Sequence, residues 1–186
     1  MIASRPNLNS HEWGKDHSPR IALEYKGPVS PAAQIELRPF RASDRARIFK
    51  LLSVLPSLYP DGAAWLDRRL NDVLARKARC TVAVAGPHIV GTTIESPKGH
   101  RRTKLSTVYV HPNYRRRNIA TRLLTQCRSD WFRESLDSVY VTLDLQCARE
   151  LLPLFTLFGF KFEALELERY GAERHEMVLR WKANGL

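Results

Sequence analysis

The run His111-Pro112-Asn113-Tyr114-Arg115-Arg116-Arg117-Asn118-Ile119-Ala120-Thr121-Arg122-Leu123-Leu124 constrains the fold more than any other part of this chain. The apolar, largely β-branched Val108-Tyr109-Val110 leads into it. A helical pattern follows, with Ile119, Leu123, Leu124, Cys127 and Trp131 on one face. A strand, a tight basic loop and a helix start therefore meet within a few residues. Such a junction aims several unpaired backbone N–H groups the same way and adds the positive end of a helix dipole. Three consecutive arginines add donors of fixed geometry. The junction suits a phosphate or pyrophosphate. The plainer alternative is a solvated basic turn.

The chain has 186 residues, enough for one compact domain with a core and an extra element at one end. Hydrophobic residues at 44% and charged residues at 26% mark a globular chain, not a disordered one. No stretch has the length of an apolar membrane span, and the first residues, Met1 to Leu8, lack the apolar core of a secretory signal. Cys80, Cys127 and Cys147 have no C-x-x-C spacing and read as free thiols of a reducing compartment, so a cytoplasmic protein is expected. No set of His, Cys and carboxylates has metal-ligand spacing, and no metal is expected.

The net charge of +11 favours an anionic partner: a phosphorylated cofactor, nucleic acid or an acidic protein. The excess is uneven. Between residues 98 and 117, Lys98, Arg101, Arg102, Lys104 and the three arginines meet no acid.

Residues 1–34, with Pro6, Pro19, Pro28 and Pro31, read as a flexible or loosely docked extension, and residues 35–186 as the domain. Alternation over 35–39 suits a strand. Ser43 is the expected N-cap of a helix to about Leu55, and a second helix spans 61–77. Strands at 81–85 and 89–94 flank a Gly86-Pro87-His88 turn, and another covers 105–111. After the 118–133 helix come a strand at 139–143, a short helix over 148–157 with Pro153 in its first turn, and strands at 161–167 and 175–181. The order β-α-α-β-β-β-α-β-α-β-β predicts one α/β domain with a single mixed, mostly antiparallel central sheet and helices on both faces.

This order, together with two motifs, resembles the GNAT superfamily of acyl-CoA-dependent N-acetyltransferases over roughly residues 35–181. Val110-His111-Pro112-Asn113-Tyr114-Arg115 matches the family's V-x-P-x-Y-R strand ending. Arg115 takes the Q/R position of the (Q/R)-x-x-G-x-(G/A) loop, and Ala120 its last position. Leu154-Phe155-Thr156-Leu157-Phe158-Gly159-Phe160 is similar to the family's late L-Y-x-x-x-G-F. There are departures. Asn118 stands where the central glycine is usual, and Arg116 where a further glycine is common. Asn is the residue after glycine that best tolerates a left-handed backbone.

The resemblance implies acetyl-CoA as cofactor. The backbone of Val108, Tyr109 and Val110 would face the pantetheine arm. Amides of Arg115, Arg116, Arg117, Asn118, Ile119, Ala120 and Thr121 would hold the pyrophosphate, with the arginine side chains, Arg122 included, near the phosphates. The expected reaction is direct attack by a primary amine of a protein or small molecule. Phe155 replaces the tyrosine that many family members place near the leaving thiolate. Tyr109, Tyr114, Tyr140 and Tyr170 are the candidate phenols in its place, of which Tyr170 ranks first. Ser106 occupies the usual acidic position on the strand before the loop. Glu95 is the nearest carboxylate, and Asp144 could orient an amine. His111 and Tyr114 read as structural, and Cys127 as core. Two further expectations are an aminoacyl-tRNA-acetylating toxin and a non-catalytic module binding CoA, RNA or protein. tRNA or another acidic partner on the basic surface, and a homodimer, complete the partners considered.

Overall fold

The computed structural model describes residues 34–59, 61–169 and 174–183. The extension expected over 1–34 therefore falls outside the described residues save for its last position, as does Tyr170. Seven strands form one sheet: β1 (Ile35–Pro39), β2 (Arg79–Ala85), β3 (His88–Pro97), β4 (Arg102–Val110), β5 (Ser138–Asp144), β6 (Lys161–Glu166) and β7 (Glu176–Lys182). Their order is β1-β2-β3-β4-β5-β7-β6, and only β4 and β5 run parallel. This is the mixed, mostly antiparallel sheet that the sequence predicts.

Five helices flank it: α1 (Arg45–Leu51), α2 (Leu55–Leu58), α3 (Gly62–Leu74), α4 (Ile119–Arg133) and α5 (Leu145–Leu157). On one face, α1 and α3 close a core of Ile48, Leu52, Leu66, Leu70, Val82 and Ile94. On the other, Leu105, Leu124, Trp131, Val139, Phe155 and Leu179 pack beneath α4 and α5. Among the described residues no helix is long and apolar enough to cross a membrane.

Several boundaries differ from the sequence reading: β3 runs on to Pro97, β4 starts at Arg102 where a loop is expected, α3 stops at Leu74, and three helix ends are set differently. Ser43 is not the cap of α1. The carboxylate of Asp44 accepts the Arg41 N–H at 2.9 Å and both guanidinium nitrogens of Arg38, so a 3-10 turn over Ala42–Asp44 precedes the helix. The helix also ends at Leu51, and Pro56 sits in the separate short α2. Pro153 lies inside α5 because Asp144 caps the helix earlier than expected: its Oδ1 accepts the Gln146 N–H at 2.8 Å.

Two irregularities shape the middle of the sheet. Thr107 faces Ile94 while Leu105 faces Glu95, which makes Ser106 the extra residue of a β-bulge in β4. The pairing of β4 with β5 covers Arg102, Thr103 and Lys104 against Ser138, Val139 and Tyr140, and stops there. Beyond this point the two parallel strands splay, and residues 105–110 of β4 have no β5 partner.

Candidate active site

The loop after β4 owes its form to two left-handed residues. Arg116 has φ 63° and Asn118 φ 57°. Each costs roughly 1–2 kcal/mol in an L-residue, less for asparagine. Asn118 is the N-cap of α4, yet its side chain makes no capping hydrogen bond. The first amides of α4 therefore face outward without a side-chain acceptor. The helix start is held close to the sheet at Gly91, where a Cβ would stand 3.1 Å from Ile119 Cγ2 and 3.2 Å from the Tyr109 carbonyl oxygen.

Val110, Arg115, Arg116, Asn118 and residues 119–121 line one pocket of about 450 Å³, with Leu154 of α5 on its far wall. Successive backbone N–H groups in such a turn, an uncapped helix N-terminus and nearby guanidinium groups together make an anion cradle. The residues present thus fit a pyrophosphate. Arg115 Nε donates to the Val110 carbonyl at 3.3 Å, which folds this side chain along the strand end. Arg117 lies over the Tyr114 ring at 5.3 Å. Arg122 turns away and donates to the Ile35 carbonyl at 2.9 Å. The structure thus groups most of the expected loop residues and sends the Arg117 and Arg122 side chains to other partners. His111 Nδ1 accepts the Asn113 N–H at 3.3 Å, in keeping with a structural reading.

The residues considered for chemistry separate. Glu95 is 2% exposed. Its carboxylate accepts from Trp131 Nε1 at 2.5 Å and from Arg79 Nε at 2.9 Å, on the α4 side of the sheet. Burial pushes its pKa up, with the Arg79 charge opposing. This is a core ion pair and not a group facing the splay. Ser106 donates to Ser96 Oγ at 3.1 Å. Asp144 is engaged as the α5 cap. Phe155 is buried, its ring edge-on to Phe160 at 5.3 Å. Burial raises the Cys80 thiol to about 12 and the buried Cys127 thiol well above its ordinary range. Cys147 is exposed, and partial burial with Asp144 and Glu150 nearby raises its pKa too. None of the three is an activated nucleophile.

The sequence reading missed Glu176 and Lys104. Glu176 is 2% exposed, and its Oε2 has no hydrogen-bond partner. It stands between Asp144 of β5 and Glu166 of β6 in register. Burial raises its pKa, opposed by a Thr142 hydrogen bond and by the charges of Lys104 and Arg169. Lys104 closes the last β4–β5 rung, with Nζ 5.8 Å from the Tyr140 ring centre. Desolvation, helped by Arg169 and Lys98, lowers its pKa to about 8. The one available signal for Glu176 is an acid opening an apolar strand.

The family model described as the acetyltransferase (GNAT) family matches residues 40–160. The chain belongs to this GNAT family. Acetyl transfer from acetyl-CoA is accordingly its reaction class. This GNAT chain shares its fold with a family protein from Desulfovibrio desulfuricans, at 14% identity and a TM-score of 0.71, covering 80% of this chain and 99% of that one. A GNAT acetyltransferase of Elizabethkingia anophelis with acetyl-CoA bound gives 14% identity, a TM-score of 0.64 and coverage of 81% and 99%. The ribosomal-protein-S18-alanine N-acetyltransferase of Escherichia coli gives 11%, 0.67, and 80% and 94%. No curated protein matches the chain in sequence.

Proposed function

We propose that this GNAT chain transfers acetyl from acetyl-CoA to a primary amine by direct attack in a ternary complex. The observation that carries this reading is the loop at Asn118: left-handed, without a side-chain cap, and opening onto the pocket before α4. In this reading the amides of residues 115–121 and the Arg115 and Arg116 side chains hold the pyrophosphate. Acetyl-CoA supplies the activated acyl group when bound.

The rest falls to the chain's own groups. Over residues 105–110, β4 pairs with β3 on one edge and has no partner on the edge facing β5, and the backbone groups of that edge suit an arm lying along the strand and a developing oxyanion. The amine must be neutral to attack, and this reading assigns its proton to Glu176, a carboxylate buried on the face of β7 away from α4 and α5. The raised thiol pKa values oppose an acyl-cysteine route. The acceptor is an amine of a protein or small molecule. Free thiols support placement in a reducing compartment.

Labelled acetyl-CoA, offered with a peptide-amine panel, a small-amine panel and aminoacyl-tRNA, tests the reading. Label in a peptide or small amine supports it. Label in RNA alone moves the acceptor to aminoacyl-tRNA. CoA release no faster than in buffer, with the cofactor bound, leaves a non-catalytic module.

A further inference from the structure

The sheet ends at β6 on one side, and no described strand pairs with the outer edge of β6. The edge at the other side, β1, is blunted: Pro39 has no N–H to offer, and the Ile35 carbonyl accepts from Arg122. β6 contains no proline and exposes large apolar side chains. Phe162 is 62% exposed and Leu165 45% exposed. Leu157, which ends α5, and Leu167, just past β6, are exposed too.

The register with β7 fixes the face that each β6 residue takes. Lys161 stands opposite Arg180, Phe162 opposite Leu179, Ala164 opposite Val178, Leu165 opposite Met177 and Glu166 opposite Glu176. Glu163 is the extra residue of a β-bulge. Leu179 and Met177 belong to the core beneath α4 and α5, so Phe162 and Leu165 lie on that face. Lys161, Ala164 and Glu166 lie on the other face. So does Glu163, whose carboxylate accepts from Arg180 Nε at 2.5 Å.

We infer that a second copy of this chain pairs with β6, edge to edge and antiparallel, in a two-fold dimer whose sheet runs through both copies. Antiparallel pairing puts directly opposite residues on one face. The register that overlaps all six β6 residues meets this condition, and the bulge is the reason: in a regular strand Lys161 and Glu166 would point to opposite faces. Lys161 then meets the partner's Glu166, Phe162 meets the partner's Leu165, and Glu163 meets the partner's Ala164. A slip of one residue would set Lys161 against Leu165, or Phe162 against Glu166, on opposite faces. In the full register one rung reads Leu179, Phe162, the partner's Leu165 and the partner's Met177, apolar throughout. On the other face Glu176 and Glu166 continue into the partner's Lys161 and the partner's Arg180, two acids followed by two bases. The two-fold axis repeats both rungs.

The apolar rung and the strand pairing supply most of the attraction, since exposed ion pairs contribute little each. The charges select register and partner. Lys161 has no ion pair among the described residues. Glu166 pairs with Arg169 in its own copy and takes the partner's Lys161 as a second cation. A lysine and a bulge are also devices by which natural edges avoid pairing. Here an acid stands opposite the lysine and the bulge brings the faces into line, so both favour one occupant. An unrelated strand would have to reproduce the two apolar positions, the two opposed charges and the doubled position at Glu163. An identical copy does so by symmetry.

Sedimentation velocity of the full chain, from about 1 to 100 μM, tests this without acetyl-CoA or turnover, so its outcome is independent of the transfer reading. The wild type is expected to form dimers within that range. Lys161→Glu and Glu166→Lys, each alone, put like charges opposite one another and are expected to weaken the dimer at least tenfold. An equimolar mixture of the two variants restores opposite charges at both rungs and is expected to restore the dimer. In a Cys147→Ser background, Phe162→Cys mixed with Leu165→Cys is expected to give a disulfide-linked dimer on oxidation. Either cysteine variant alone is not, because identical positions lie about 10 Å apart along the paired strands, beyond disulfide reach. The cysteine pair decides alone where a charge variant does not fold. A wild type that stays monomeric overturns the inference. So do a dimer that both charge variants leave unchanged, a mixture that stays monomeric, and cross-linking by either single cysteine as efficient as by the mixture.

Discussion

The indole Nε1 of Trp131 donates to Glu95 Oε1 at 2.5 Å, joining α4 to β3 through the core. Arg79 holds the other carboxylate oxygen and reaches on to Asp130 and Glu134. The helix that follows the loop of residues 115–118 is thus fastened to the sheet by a buried charge network. Glu95→Ala should cost about 3 kcal/mol, because an indole donor and a guanidinium each lose a buried partner. Urea unfolding measures it. A variant of unchanged stability that loses only turnover would make Glu95 a catalytic group after all.

The pH dependence of this network has a definite sign. Burial raises the Glu95 pKa, so the folded chain holds this proton more tightly than the unfolded chain. Its titration therefore favours folding below the unfolded value of about 4.3 and loses that contribution as pH rises through the folded value. Asp44 has the opposite sign. The Arg38 hydrogen bond holds it below the usual carboxylate range, so its contribution is complete above about 4 and is lost as pH falls through its folded pKa. Asp44→Asn should flatten the acid limb of the stability curve, and Glu95→Gln should flatten the decline on the other side. Urea midpoints from pH 3 to 8 check both.

Phe155→Tyr restores the residue that many family members carry. The Phe155 ring is 1% exposed and packed on Phe160. An added hydroxyl would be desolvated without a partner, at about 1–3 kcal/mol. A lower melting temperature with no gain in turnover is the expected result. A faster, equally stable variant would place the Phe155 ring edge at the leaving group.

The junction at the loop is legible in the sequence because the apolar period changes there from two to 3.6, between Val110 and Ile119. The left-handed Asn118 is legible because asparagine is the usual stand-in for glycine. The catalytic side is not. Alternation cannot give the facing of residues around Ser106, since the bulge resets the parity of β4. Glu95 reads as a strand-end acid, and only the α4 packing shows that it points inward. Glu176 has partners on β5 and β4, supplied by residues far from it in the chain. The helix ends are set by side chains: Asp44 and Asp144 capture backbone amides that simple cap rules assign to Ser43 or leave open.

Calorimetric titration of acetyl-CoA into the wild-type chain, Asn118→Gly, Asn118→Val and Arg115→Ala tests the central claim most directly. Asn118→Gly should bind as well as the wild type or better. Asn118→Val should bind about tenfold more weakly, as a β-branched residue at φ 57° costs roughly 1–2 kcal/mol. Arg115→Ala should also weaken binding, less so at high salt. Equal affinities across the four folded proteins, or no binding by the wild type at millimolar ligand, would contradict the assignment of this loop as the acetyl-CoA site.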